Sequence, residues 1–180
     1  MKPAYLCGFD IGSISINAVA LDETCHVVLD RYIPHHGKPF ETLLSVFEEL
    51  EEQLGPERLG RLSFTGTGGK LAAELLKGSF VNEIVAQSTA VSHFHPEVKT
   101  VIEMGGEDSK LIFMDEGEGG ASRLSDFEMN TLCAAGTGSF LDQQARRIGI
   151  SIEEEFGNLA LQSADPPASP VAAACSPKAT

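Results

Sequence analysis

Cys133 is the residue with the most chemistry around it. It sits in the run DFEMNTLCAAGTGSFLD (residues 126–142), just before a glycine-rich turn, and Phe140, Leu141, Ala145 and Ile148 then recur at helical spacing. A thiolate at that place would face the first N–H groups of a helix and the positive end of its dipole. Such a position suits a phosphate, a reactive thiolate or an iron–sulfur cluster. The plain alternative is a small buried residue packed beside the helix start. A second group of residues, Asp10-Ile11-Gly12-Ser13, is a short hairpin with an acid at its mouth. Gly12 lets the backbone approach a phosphate, Ser13 and nearby amides can donate to it, and Asp10 can hold Mg2+, usually through water. The pattern returns about 93 residues later as Glu103-Met104-Gly105-Gly106-Glu107-Asp108-Ser109. Either turn alone is most often only a turn. The two in order predict two similar lobes, each presenting a turn to one nucleotide.

Other chemistry is not legible. No G-x-x-x-x-G-K-[ST] run exists, and Thr65-Gly66-Thr67-Gly68-Gly69-Lys70 has the wrong spacing for one, so it reads as a strand-to-helix turn near the cleft. The histidines lack metal-ligand spacing, and His35-His36 reads as solvated loop. The four cysteines form no C-x-x-C pair. Cys7 and Cys25 read as structural, and disulfides are not expected in a reducing cytoplasm.

The elements that must position these groups follow from periodicity. Residues 4–32 read as a three-strand meander: Tyr5–Asp10, Ile16–Leu21 and His26–Tyr32. Phe40, Leu43, Leu44, Phe47, Leu50 and Leu54 fit one face of a helix that Gly55-Pro56 ends. A strand over Arg61–Thr65, a helix over Lys70–Leu76 and a second helix from Asn82-Glu83 to Phe94 follow. Thr100–Met104 and Ser109–Met114 read as a strand and its return. Gly117–Gly120 is a hairpin turn, and Phe127–Asn130 the end of a strand. Ser151-x-x-Glu154 reads as a capping box opening a helix over 152–161. The tail from Ser163 is rich in Ala, Pro and Ser.

Composition sets the outer limits. The chain has 180 residues and 42% hydrophobic residues, enough for one domain or two small lobes with a core. Thirteen Lys and Arg stand against 26 Asp and Glu, a net charge of −13, with no basic cluster, which argues against nucleic acid as a partner. No signal peptide is evident and the apolar runs are too short for a bilayer, so a cytoplasmic, non-membrane protein is expected.

Taken together the motifs resemble the BadF/BadG/BcrA/BcrD ATPase family, most closely the activators of 2-hydroxyacyl-CoA dehydratases. The matching pieces are Gly8–Ser13, Gly66–Gly68, Asn82-Glu83-Ile84, Val101–Lys110 and Phe127–Asp142, in family order over nearly the whole chain. The resemblance implies an α/β fold of the actin/hexokinase-like (ribonuclease H-like) ATPase type. It implies a first lobe over 1–97, the start of a second lobe with its phosphate turn and cysteine-headed helix over 98–162, and a tail over 163–180. It further implies catalytic roles for Asp10, Glu83 and Asp108, and ATP and Mg2+ binding by Gly12, Ser13, Gly105, Gly106, Glu107, Lys110, Gly136 and Gly138. Cys133 and Cys175 match the ligands of a [4Fe-4S] cluster shared by two chains of a homodimer.

The implied activity is ATP-gated transfer of a low-potential electron from a ferredoxin or flavodoxin to a 2-hydroxyacyl-CoA dehydratase or related CoA-ester reductase. A helix dipole supplies only about 1–2 kcal/mol, so coupling to ATP is the expected source of reducing power. The family's adenosine-holding Gly-Gly turn has no counterpart here, and a truncated form is expected. Glu103 stands where many relatives have Asp. Two other readings stand beside this one: a small-molecule kinase of the same superfold, and an inactive fragment lacking the adenosine-binding lobe.

Overall fold

The computed structural model describes residues 4–117, 122–130 and 137–164. The chain divides into two compact units, Met1–Phe94 and His95–Thr180.

In the first unit, β1 (Tyr5–Ile11), β2 (Ser15–Leu21) and β3 (Val27–Pro34) form the expected antiparallel meander. After α1 (Pro39–Leu54) the chain returns as β4 (Leu59–Thr65), which pairs parallel with β1. Following α2 (Gly69–Leu76), a two-residue strand, β5 (Ser79–Phe80), completes the order β3-β2-β1-β4-β5. That strand is too short to carry a period and had no sequence signal. The unit closes with α3 (Glu83–Phe94).

Alternation divides the sheet into two faces. Cys7, Phe9, Ile11, Ile16, Ala18, Ala20 and Phe64 point into the core, against Leu43, Val46 and Leu50 of α1 and Ala72 and Ala73 of α2. Phe9 stacks between Phe47 at 4.8 Å and Phe64 at 5.1 Å. Full burial of such a ring contributes about 3 kcal/mol at most. The buried stripe of α1 therefore runs through Val46 rather than Leu44, which is 60% exposed. Leu44, Phe40, Leu75 and Leu76 instead line a shallow apolar pocket of about 170 Å3.

The second unit is a three-stranded antiparallel sheet, β6 (Thr100–Met104), β7 (Ser109–Glu116) and β8 (Ser122–Asn130), in the order β6-β7-β8. β8 begins five residues before the expected Phe127. It is an edge strand, mostly exposed, so no apolar alternation marks it. α4 (Gly138–Ile148) follows and ends on Gly149 in the left-handed conformation.

The expected helix over 152–161 is two pieces. A π-wound turn, Ile152–Phe156, leads into α5 (Gly157–Leu161). Ser151 Oγ accepts from the Glu154 amide at 3.1 Å, as a capping box requires. The wider first turn makes Glu155, not Glu154, the carboxylate that accepts from the Ser151 amide, at 2.8 Å. Among the described residues, no helix is long and apolar enough to cross a membrane.

Candidate functional site

In the first unit the candidate site is the end of β1. Asp10 lies on the sheet face opposite the core, in register with Asn17 on β2 and Thr65 on β4. Asn17 Nδ2 donates to Asp10 Oδ2 at 3.4 Å. The hairpin of Asp10, Gly12 and Ser13 closes with the Gly12 amide on the Ser15 carbonyl at 3.0 Å. The turn after β4 packs directly on it. Gly66 has φ +80, and a Cβ there would lie 2.3 Å from Asp10 Oδ1 and 2.7 Å from the Ile11 carbonyl oxygen. Only glycine combines that backbone conformation with that approach. The Gly68 amide donates to the same Ile11 carbonyl at 2.9 Å.

The reading of residues 65–70 as a strand-to-helix turn holds, and the structure adds that its glycines seat the Asp10 turn. Thr65 Oγ1 is buried with no hydrogen-bond partner among the described residues. A cavity of about 790 Å3 on this face is lined by Gly8, Asp10, Asn17, Val19, Ser63 and Thr65, among others. Glu83 belongs to a different element, the first residue of α3, whose N-terminus Asn82 Oδ1 caps by accepting from the Ile84 amide at 2.9 Å.

His35 corrects an expectation. It is 6% exposed, not solvated. The Gly37 amide donates to His35 Nδ1 at 3.1 Å, so the ring proton sits on Nε2, which donates to the Gly12 carbonyl at 3.2 Å. His35 thus braces the Asp10 hairpin from below. The sequence signal was faint: only Gly37 hints at the tight turn, with His36 at φ 49 and Gly37 at φ 82, that folds the ring back.

In the second unit, Glu103 is the last residue but one of β6, Gly105-Gly106 turns the chain, and Asp108 leads into β7. The Gly105 amide donates to the Asp108 carbonyl at 2.9 Å. A Cβ on Gly105 would lie 2.6 Å from Asp108 Oδ1. Lys110 pairs across the strands with Glu103. Its side chain is 2% exposed, and its Nζ donates to Glu103 Oε2 at 2.7 Å and Asp108 Oδ1 at 2.9 Å. Glu107 is exposed at the apex.

The start of α4 differs from the expectation of open N–H groups. The Gly138 amide donates to the Gly105 carbonyl and the Ser139 amide to the Gly106 carbonyl, both at 2.8 Å. Gly138 fits because a Cβ there would already lie 3.2 Å from the Gly105 carbonyl. The glycine turn therefore caps the helix with its own backbone. Cys133, Gly136 and Cys175 lie outside the described residues.

Comparison with known proteins decides what these turns belong to. The BadF/BadG/BcrA/BcrD ATPase family matches residues 7–175. The chain belongs to this family. Among curated relatives, the 2-hydroxyisocaproyl-CoA dehydratase activator of Clostridioides difficile is 31% identical over 161 residues, 88% of this chain and 58% of that protein. The solved structure of that activator with bound ADPNP matches at a TM-score of 0.74 and 30% identity, over 89% of this chain and 58% of that one. Component A of the Acidaminococcus fermentans (R)-2-hydroxyglutaryl-CoA dehydratase matches at a TM-score of 0.74 and 27% identity, over 92% and 61%. The family member described here thus has the actin/hexokinase-like ATPase fold expected from its motifs, and spans about three-fifths of the length of these relatives.

The residues present fit a nucleotide and its cation. Each turn uses glycine to bring backbone against a carboxylate, Gly66 on Asp10 and Gly105 on Asp108. The Thr65 hydroxyl, without a hydrogen-bond partner among the described residues, stands in register with Asp10. Carboxylate and hydroxyl oxygens of this kind suit Mg2+, which keeps much of its water.

Proposed function

We propose that this chain is the nucleotide-binding part of an ATP-dependent activator that delivers a low-potential electron to a 2-hydroxyacyl-CoA dehydratase or a related CoA-ester reductase. The observation that carries the reading is the pair of carboxylate-bearing glycine turns at Asp10 and at Gly105-Gly106. The naming of relatives as activators, one of them with bound ADPNP, supports it.

In this reading Asp10 holds hydrated Mg2+, with the Thr65 hydroxyl beside it. Gly12 and Gly105, whose own amides close the two turns, let the backbone approach phosphate oxygens, to which Ser13 and the amides of Gly106 and Glu107 can donate. Asp108 and Glu83 are the carboxylates available to orient the attacking water. Hydrolysis converts ATP and that water to ADP and phosphate.

Cys133 and Cys175, with the same pair from a second chain, would hold a [4Fe-4S] cluster. Four thiolates on a two-fold axis require two from each subunit. That part of the proposal rests on the sequence alone. The cluster would supply one-electron chemistry at low potential, with a ferredoxin or flavodoxin as donor. In the sequence Gly136 stands between Cys133 and α4, and Gly138 is the first residue of that helix. An equilibrium titration with Mg2+ and a non-hydrolysable ATP analogue tests the nucleotide part. Binding should be lost in Asp10→Ala and kept in Cys133→Ala; a folded chain that binds no analogue would refute it.

A further inference from the structure

The Lys110 ammonium is one of the most deeply buried charges described in this chain, and the sequence motif alone would send it to a phosphate. The geometry also ties it to two carboxylates. They are Glu103 across the β6–β7 pair and Asp108 two residues before it. A cation buried to 2% exposure is stable only when paired and hydrogen-bonded. The two carboxylates in turn flank one glycine. The ideal Cβ position on Gly105 lies 2.6 Å from Asp108 Oδ1 and 3.2 Å from Glu103 Oε1. Without a cation between them, two like charges on either side of the turn repel.

The same turn is the seat of α4. The carbonyls of Gly105 and Gly106 accept from the first two helix amides, Gly138 and Ser139. The bonds therefore form one continuous series: Lys110 to the carboxylates of Glu103 and Asp108, the Asp108 carbonyl to the Gly105 amide, and the Gly105 and Gly106 carbonyls to the start of α4. Thr137, which precedes the helix, is fully buried and leaves no slack there.

We propose that Lys110 is a positioning residue, a strut that fixes the Gly105-Gly106 turn through Glu103 and Asp108 and thereby anchors the first turn of α4. Its consequence for catalysis rests on the reading of that turn as a phosphate turn. Lys110 would act there by shaping the loop, not by touching the nucleotide.

The test uses the full chain without nucleotide. Residue-resolved amide exchange is compared in the wild type, Lys110→Met and Glu103→Gln. Gly138 and Ser139 should exchange roughly tenfold faster or more in Lys110→Met, the size expected when a charge-assisted bond is lost, and by a smaller factor in Glu103→Gln. Phe9 and Ala18, in the other unit, should be unchanged. Wild-type rates at Gly138 and Ser139 in folded variants would overturn the proposal.

If Lys110→Met does not fold, Glu103→Gln keeps the side-chain volume and carries the same test. A spectroscopic signature in the wild type adds a reading that needs no variant. The Lys110 ammonium should give a slowly exchanging NH3+ resonance correlated with two carboxylates; a solvent-like, rapidly exchanging one would overturn the strut. Adding Mg2+ and the ATP analogue to the wild type separates the two ideas. Failure to protect residues 103–108 would count against the phosphate turn, while the exchange changes at Gly138 and Ser139 would still decide the strut.

Discussion

Replacing Gly66 by alanine should damage the Asp10 turn far more than the same replacement at Gly37, although both glycines have nearly the same backbone conformation, φ +80 and +82. An alanine at such φ costs about 1–2 kcal/mol, partly offset by the stiffer unfolded chain. At Gly37 nothing lies within 4 Å of the new methyl, so that is the whole effect, about 1 kcal/mol. At Gly66 the methyl would lie 2.3 Å from Asp10 Oδ1 and 2.7 Å from the Ile11 carbonyl oxygen. Something in the turn must move, adding about 1–3 kcal/mol and displacing the carboxylate proposed to hold Mg2+. The total for Gly66→Ala is then roughly 2–4 kcal/mol. The chain has no Trp and two tyrosines, Tyr5 and Tyr32, both in the first unit. Intrinsic emission during urea unfolding therefore reports that unit. Equal midpoint shifts for the two variants would refute the close packing of the two turns.

Three further outcomes follow from particular residues. His35→Phe should lower the stability of the first unit by about 1–2 kcal/mol, because the Gly37 amide and Gly12 carbonyl lose their bonds to the buried ring; wild-type stability in the same emission assay would count against the brace. Cys7 is 2% exposed and burial pushes its thiol up from the ordinary value, whereas Cys25 is exposed. Iodoacetamide near neutrality should then label Cys25 in the native chain and Cys7 only after denaturation, as peptide masses would show. Bonds from the Thr24 hydroxyl and the His26 amide hold the Asp22 carboxyl below its usual range. A lowered folded-state value means its contribution is present above the ordinary carboxylate range and is lost as pH falls through the lowered one. The stability gap between wild type and Asp22→Asn should therefore close toward acid pH; a gap that widens would reverse the sign.

Much of the first unit was readable because its signals are periodic. The alternation of Ile16, Ala18 and Ala20 fixed the face of β2, and the glycines at 66 and 68 marked a turn. What escaped were contacts between segments distant in sequence. Leu44 and Val46 both fit a helical stripe, and only packing against the sheet chose Val46. His35 carries no motif, and its role arises from a bond to Gly12, 23 residues away. The start of α4 looked open because helix termini in isolation leave amides unpaired; the partners come from Gly105 and Gly106, more than thirty residues earlier. Lys110 shows the limit from the other side. Its position in a motif was legible, but its burial between two carboxylates was not.

Anaerobic iron–sulfur reconstitution, with iron and sulfide counted per chain, tests the central claim most directly. The account predicts about two irons and two sulfides per chain, one cluster for each pair of chains, and their loss in Cys133→Ala. A chain that takes up no iron, or a Cys133→Ala variant that keeps its full complement, would contradict it.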